Sequence, residues 1–317
     1  MNTLREAVDE YLALRRGLGF TLKQDGKALR KFVTFMEQRR ASYITSALAL
    51  EWAQQPAHTQ PANRAGRLMY VRVFARHRSA TDPRTQIPPV GLLPFRPKRA
   101  RPYLYTDKEI QELLRATLKM PIPSPHHKRC ALLPWVYHCL FGLLSVSGLR
   151  IAEARNLELR DVDLKAAVLT IRGSKCGKDR LVPVHASTRN VLVDYIARRE
   201  RFWARWPVTP YLFVSSRGTP LDFGQIRRAF YVVSRQIGLR GVTASNGPRL
   251  HDMRHRFATR TLENWYESGD DPEQRLPILS AFLGHVHVAD TFYYLSASPA
   301  LMRAAMARLE TRRGNRP

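Results

Sequence analysis

Carboxylates are scarce in this chain. Its 317 residues carry 26 Asp plus Glu against 52 Lys plus Arg, a formal net charge of +26. Solubility needs no such excess, so the imbalance points to a polyanion, either nucleic acid or an anionic membrane surface. The shortage runs through both halves. Residues 1–104 hold 7 acidic and 19 basic side chains, and residues 105–317 hold 19 and 33. A polybasic membrane anchor gathers its charge in one cluster beside an amphipathic helix or lipidation site. A chain that encloses a long polyanion is basic throughout, which favours nucleic acid. Cysteine is also rare: Cys130, Cys139 and Cys176 give no disulfide framework. Long hydrophobic runs are missing. The longest, Leu132 to Val146, is broken by His138, Gly142 and Ser145, and it falls short of the roughly 20 residues that span a bilayer. The first residues, Met-Asn-Thr-Leu-Arg-Glu, lack the apolar core of a signal peptide. A reducing, cytoplasmic setting without a membrane is expected, beside the nucleoid when bound to DNA. What is present is enough apolar material for a core: 44% hydrophobic and 9% aromatic residues exclude a disordered basic tail. The length suggests about two domains.

The first 80 residues read as helices. Leu4, Val8, Tyr11, Leu12 and Leu18 fall at helical spacing, and Gly17 and Gly19 stop that helix. Further helices are expected over Lys23 to Arg39, from Thr45 or Ser46 to Trp52, and over about Pro61 to Arg78. The last carries Arg64, Arg67, Arg72, Arg76 and Arg78 and no carboxylate. A solvated helix would read the same way, but a DNA-facing surface suits the arginines better. Residues 82–104 hold six prolines among Arg96, Lys98, Arg99 and Arg101, a density that neither helix nor central strand tolerates. They read as a semi-rigid basic linker. A second domain opens at the capping box Thr106-Asp-Lys-Glu109. A buried helix over Cys130 to Ser147 and a helical stretch from Ile151 to Leu159 follow. Strands at Ala167 to Arg172 and Arg180 to Val184 form a hairpin, and the remainder is mostly helical. The expected layout is a helical domain over 1–81, the linker 82–104, a larger domain over 105–297, and a C-terminal helix with a basic tail over 298–317.

Three separated segments concentrate polar groups. In Ser147-Gly-Leu-Arg150-Ile-Ala-Glu153, Arg150 follows a buried helix and is costly to bury unless Glu153 pairs with it. A purely structural ion pair is the competing reading. In His251-Asp-Met-Arg254-His255-Arg256, His251 and Arg254 share one helical face. A histidine moves protons near neutral pH and an arginine grips phosphate oxygens. His251 and His255 at i and i+4 could instead start a metal site, but no H-E-x-x-H glutamate accompanies them, and no metal or cofactor is expected. In Leu283-Gly-His285-Val-His287, the histidines could serve a metal or a polar turn. Tyr293 and Tyr294, read alone, are ordinary core or surface aromatics. Together, two arginines, two histidines, a lysine and a tyrosine can surround one phosphate, stabilise a pentacoordinate transition state and attack it with a phenol.

This pattern resembles the tyrosine recombinases, or phage integrases. Ser147-Gly-Leu-Arg150-Ile-Ala-Glu153 is similar to the family's first arginine box. Leu250-His251-Asp-Met-Arg254-His255-Arg256-Phe257-Ala258-Thr259 resembles its H-x-x-R box. Leu283-Gly-His285 with Tyr294 nine residues on resembles its third box and nucleophile. Lys175-Cys-Gly-Lys178-Asp-Arg-Leu-Val-Pro183 is similar to its lysine-bearing turn, and Leu212-Phe-Val with Gly218-Thr-Pro220 to another common stretch. The resemblance covers about residues 103–311. It implies a mainly α fold with a small antiparallel sheet: a helical, SAM-like core-binding domain and a mixed α/β catalytic domain. It implies that Tyr294 forms a 3′-phosphotyrosine, that Arg150, Arg254 and His285 hold the phosphate, that Lys175 protonates the leaving 5′ oxygen, that His251 assists proton transfer, and that Glu153 supports them. Spacing from His285 selects Tyr294 over Tyr293, and counting back from Leu181-Val-Pro183 selects Lys175 over Lys178. Arg64, Arg67, Arg72, Arg76, Lys98, Arg99 and Arg101 are the expected DNA contacts. The implied partners are double-stranded DNA recombination sites and further copies of the chain, a tetramer on DNA, or related recombinases. The 298–317 helix would dock in trans, using Met302, Ala305, Met306 and Leu309. Leu12-Ala-Leu-Arg-Arg-Gly-Leu-Gly-Phe20 is similar to transposon-borne members, which suggests a mobile-element role.

Two features depart from the family pattern. Arg256 stands where a small hydroxyl residue is common, and it reads equally as a phosphate contact or a surface charge. The acidic stretch Glu267 to Arg275 lengthens the gap between the second and third boxes and is expected as a surface loop. The competing functions are a non-catalytic DNA-binding relative, a type IB topoisomerase and a metal-dependent nuclease.

Overall fold

The computed structural model describes residues 2–55, 58–93, 101–121, 128–173, 179–244, 246–295 and 299–314. Lys98, Arg99, Lys175 and Lys178 lie outside these residues. The chain divides into two units, Met1–Ala100 and Arg101–Pro317.

The first unit is built from α1 (Leu4–Gly17), α2 (Lys23–Gln38), α3 (Ser46–Gln54) and α4 (Pro61–Arg78). Thr3 and Glu6 form a capping box at α1, which satisfies two of the first-turn amides that no helix can pair internally. The core joins Leu12, Leu29, Phe32, Met36, Trp52 and Phe74. Residues 82–93 lie against this unit. The Gln86 amide donates to the Ile44 carbonyl at 2.8 Å, Leu92 and Leu93 pack on the core, and the buried Asp82 pairs with Arg84 at 2.9 Å.

Two of the α4 arginines are engaged in that packing. Arg67 stacks on Trp52, 3.8 Å from the ring centre, and donates to the Trp52 carbonyl at 2.6 Å. Arg72 donates to the carbonyls of Pro88 and Pro89, each at 2.8 Å. Prolines offer acceptors but no amide, so a forked cation is a fitting partner for them. Arg78 is buried and bonded to the Asn2 carbonyl. Arg64 is half-buried, and Arg76 is exposed.

The second unit holds α5 (Asp107–Leu118), α6 (Leu133–Ser147), α7 (Ile151–Arg155), β1 (Val162–Asp163), β2 (Val168–Ile171), β3 (Arg180–Pro183), α8 (Ala186–Trp203), α9 (Phe223–Gln236), α10 (Leu250–Glu267), α11 (Pro272–Leu283), α12 (Ala289–Leu295) and α13 (Pro299–Gly314). It is mostly helical with one antiparallel sheet, in the order β1-β2-β3. Leu169 faces Val182 and Ile171 faces Arg180. Leu169, Ile171 and Val182 point into the core while Leu181 points out, the period-2 alternation of a half-covered sheet. β1 is only two residues long, too short to leave a periodic trace in the sequence. The apolar α6 runs through the core, with Val136, Leu140, Phe141 and Leu144 buried.

A smaller apolar cluster joins α10 to α13 through Ala258, Leu262, Leu276, Leu279, Leu283, Tyr294 and Leu301. Thus α13 rests on its own unit through Leu301, while Met302 and Met306 are exposed. The acidic stretch is shorter as a loop than expected. Helix α10 continues to Glu267 and α11 starts at Pro272, leaving 268–271 as the connection, with Asp270 paired to Arg275 at 2.7 Å. Among the described residues no helix is long and apolar enough to cross a membrane.

Arg72→Ala removes two charged hydrogen bonds and should destabilise the first unit by about 1–3 kcal/mol. Arg76→Ala should leave its unfolding midpoint unchanged. Thermal unfolding of both variants checks this, and equal midpoints would contradict the role given to Arg72.

Candidate active site

Two helices end at glycines in the left-handed conformation, Gly148 after α6 (φ 60°) and Gly284 after α11 (φ 66°). Other residues pay a penalty there. A side chain there would also force its neighbours to shift. A Cβ on Gly148 would lie 2.5 Å from Phe257, and one on Gly284 would lie 2.7 Å from Arg180. A helix end leaves carbonyls without intrahelical partners and carries a partial negative charge. Here those carbonyls hold arginines.

Arg254, on α10, is buried. It donates to the Gly148 carbonyl and to the Leu283 carbonyl, both at 2.7 Å, and so ties the two helix ends together. Burial lowers its pKa, the adjacent Tyr294 side chain opposes that shift, and Arg150 adds to it; a guanidinium nevertheless stays charged at any physiological pH. Arg150 precedes α7 and donates to the Gly284 carbonyl at 2.9 Å and to Glu153 at 2.7 Å. Glu153 also accepts from the Arg150 amide at 2.9 Å. Its remaining partner was not foreseen as a site residue. Arg180, the first residue of β3, forks onto both Glu153 oxygens at 3.1 and 2.8 Å and donates to the Phe282 carbonyl at 2.9 Å. Burial pushes the Glu153 carboxyl up, but the hydrogen bonds and charge of Arg180, with the bonds from Arg150, bring it below the usual carboxylate range.

His285 follows Gly284 and is half-buried, with Nδ1 2.7 Å from the hydroxyl of the fully buried Thr291. Burial, then the charges of Arg254 and Arg150, lower its pKa to about 4. The ring is therefore neutral at pH 7. A Thr291 hydroxyl that donates to Nδ1 leaves the ring proton on Nε2, a donor suited to a phosphate oxygen.

Tyr294 on α12 is buried. Its ring stacks on His285, with centroids 5.9 Å apart, and meets His255 edge-on at 5.4 Å. Tyr293 meets His255 at 5.6 Å, and Arg254 has Tyr294 as its tyrosine neighbour. His251 is exposed on α10, 5.0 Å from the His255 ring. Desolvation by the groups packed around its ring, then the charge of Arg254, lower its pKa. The buried His255 thus links His251 to both tyrosines, and only its i+4 spacing from His251 hinted at this in the sequence. Among the described residues no group of three His, Cys, Asp or Glu side chains is placed to hold a metal.

Arg256 is half-buried and paired rather than a free surface charge. It donates to the Tyr105 carbonyl at 2.9 Å and pairs with Asp107, fastening the start of the unit to α10. Arg150, Arg254, His285, Tyr294 and Glu153 come together; His251 lies one ring away. Lys175 falls outside the described residues, in the sequence between β2 and β3. Arg101 is exposed at the start of the unit.

Residues 104–300 match the phage integrase family. The chain belongs to that family. It is an enzyme of the tyrosine recombinase class, which cuts and rejoins DNA strands. The y4rB protein of Sinorhizobium fredii, which bears an integrase/recombinase name, is 62% identical over 312 residues, 98% of each chain. The tyrosine recombinase XerA of Pyrococcus furiosus is 30% identical over 169 residues, 52% of each chain. Among solved structures, the Tn1549 transposon integrase in complex with transposon right end DNA shares the fold. Its TM-score is 0.66 at 16% identity, over 98% of this chain and 99% of that one.

The His285 shift has a testable sign. Its folded pKa of about 4 lies below the ordinary 6.5, so the unfolded chain takes up the proton first as pH falls. Stability from this group is present above 6.5 and is lost towards 4. The unfolding midpoint should fall less steeply across that window in His285→Gln than in the unsubstituted protein. Equal slopes would contradict the assignment.

Proposed function

We propose that the chain is a site-specific recombinase of integrase or transposase type, acting on double-stranded DNA recombination sites through a 3′-phosphotyrosine at Tyr294. The observation that supports this most is the convergence of Arg150, Arg254, His285 and Tyr294 on the ends of α6 and α11. Each guanidinium terminal nitrogen carries two hydrogens, so the carbonyl bonds fix the plane and leave donors for phosphate. Arg150 and Arg254 hold the non-bridging oxygens and stabilise the charge that builds in the transition state. His285 adds a neutral hydrogen bond. The Tyr294 oxygen bonds to phosphorus as the bond from phosphorus to the 5′ oxygen breaks. Lys175 supplies the proton to that oxygen, and His251 assists removal of the phenol proton. The ester keeps the energy of the phosphodiester, so the reaction runs without ATP or metal. The freed hydroxyl of another strand then attacks the ester and completes the exchange.

A structure with TM-score 0.58 and 17% identity is a lambda integrase tetramer bound to a Holliday junction. We extend that assembly to this chain as a tetramer on two duplexes, in the cytoplasm and most naturally in the service of a mobile element. Docking of α13 onto a neighbouring copy would use Met302 and Met306, which are 53% and 55% exposed.

Tyr294→Phe should bind its DNA site with unchanged affinity and give no covalent complex with a nicked suicide substrate. A full-strength covalent band from that variant would overturn the reading. Met302→Ser with Met306→Ser leaves Leu301 in place, and it should reduce assembled two-site complexes while sparing single-site binding. Gel-shift titration against one-site and two-site DNA checks this, and unchanged two-site assembly would contradict docking through α13.

A further inference from the structure

We infer that Arg180 is a positioning residue for strand cleavage, holding Arg150 in register with the scissile phosphate through Glu153 and the α11 terminus. The inference rests on the recombinase reading above.

Three observations support it. First, the Arg180 side chain is only 11% exposed, and Glu153 only 7%. Burying a guanidinium is unfavourable unless its donors are matched, and each donor group of Arg180 has an acceptor: the Phe282 carbonyl and the two Glu153 oxygens. Second, Glu153 is shared. The same oxygens take the Arg150 side chain at 2.7 Å and the Arg150 amide at 2.9 Å. With Arg150 alone, one carboxylate would cancel the charge that the phosphate needs. With Arg180 present, the carboxylate is divided between two cations, and Arg150 keeps positive charge to offer. Third, the turn is shaped around this side chain. Gly284 has φ 66°, and a Cβ there would lie 2.7 Å from an Arg180 nitrogen. Arg180 thus joins the hairpin, the first arginine segment and the turn that leads into His285, and its charge contributes to the lowered pKa of His285.

A purely structural pin and a positioning residue differ in their response to the substrate. A methylphosphonate at the scissile position replaces one charged non-bridging oxygen with a neutral methyl group, so cleavage depends less on a well-placed cation. Arg180→Ala and Glu153→Gln should each slow covalent-complex formation on the phosphate substrate by about 100-fold, the scale of loss when a reacting group is misplaced by about an ångström. DNA affinity should barely change, and most of the lost rate should return on the methylphosphonate. Arg180→Lys keeps the charge without the fork and should fall between Arg180→Ala and the unsubstituted protein. Equal loss on both substrates, or no loss, overturns the inference. If Arg180→Ala does not fold, Arg180→Lys and Glu153→Gln decide by the same ratio. If the unsubstituted protein forms no covalent complex, the recombinase reading fails, and this inference fails with it.

Discussion

The end of one helix organises the site. Helix α11 stops at Leu283, and the carbonyls of Phe282, Leu283 and Gly284 accept bonds from Arg180, Arg254 and Arg150. These are the groups a helix leaves unsatisfied at its C-terminus, and they present negative partial charge to cations. Arg254 also takes the Gly148 carbonyl at the end of α6. The glycine that terminates each helix therefore does more than end it. It turns the carbonyls toward a place where arginines from α10, β3 and the start of α7 meet.

The arrangement answers an electrostatic difficulty. Three guanidinium groups share a confined space with one carboxylate, Glu153. Backbone carbonyls moderate the repulsion without neutralising the charge, which stays available for the dianionic transition state of the proposed cleavage. Burial, reinforced by the same field, keeps His285 neutral. Tyr294 is held against His285 and Arg254 by an apolar cluster from α10 to α13, so the placement of the proposed nucleophile depends on ordinary core packing.

Much of this could be read from the sequence, because periodicity, caps and helix-ending glycines are local signals. The capping boxes at Thr3 and Thr106 and the glycines of the two boxes mark element boundaries directly. Of the two adjacent tyrosines, the one that the spacing selects, Tyr294, stacks its ring on His285. What could not be read were contacts between distant segments. Arg180 lies 27 residues from Glu153, and no spacing rule links a strand to a helix cap. Arg67 and Arg72 looked like a basic face because their acceptors, the carbonyls of Trp52, Pro88 and Pro89, have no signature in a list of side chains. Arg256 stayed ambiguous for the same reason, since its partners Tyr105 and Asp107 begin the unit far away in sequence.

The claim on which the account depends is that the phosphate held at these helix ends is transferred to one particular phenol. Fragmentation mass spectrometry of the protease-digested covalent complex tests it directly, because it separates adjacent residues. The account predicts a nucleotide ester on Tyr294, linked through a 3′ phosphate. An adduct on Tyr293, on another side chain, or through a 5′ phosphate would contradict it.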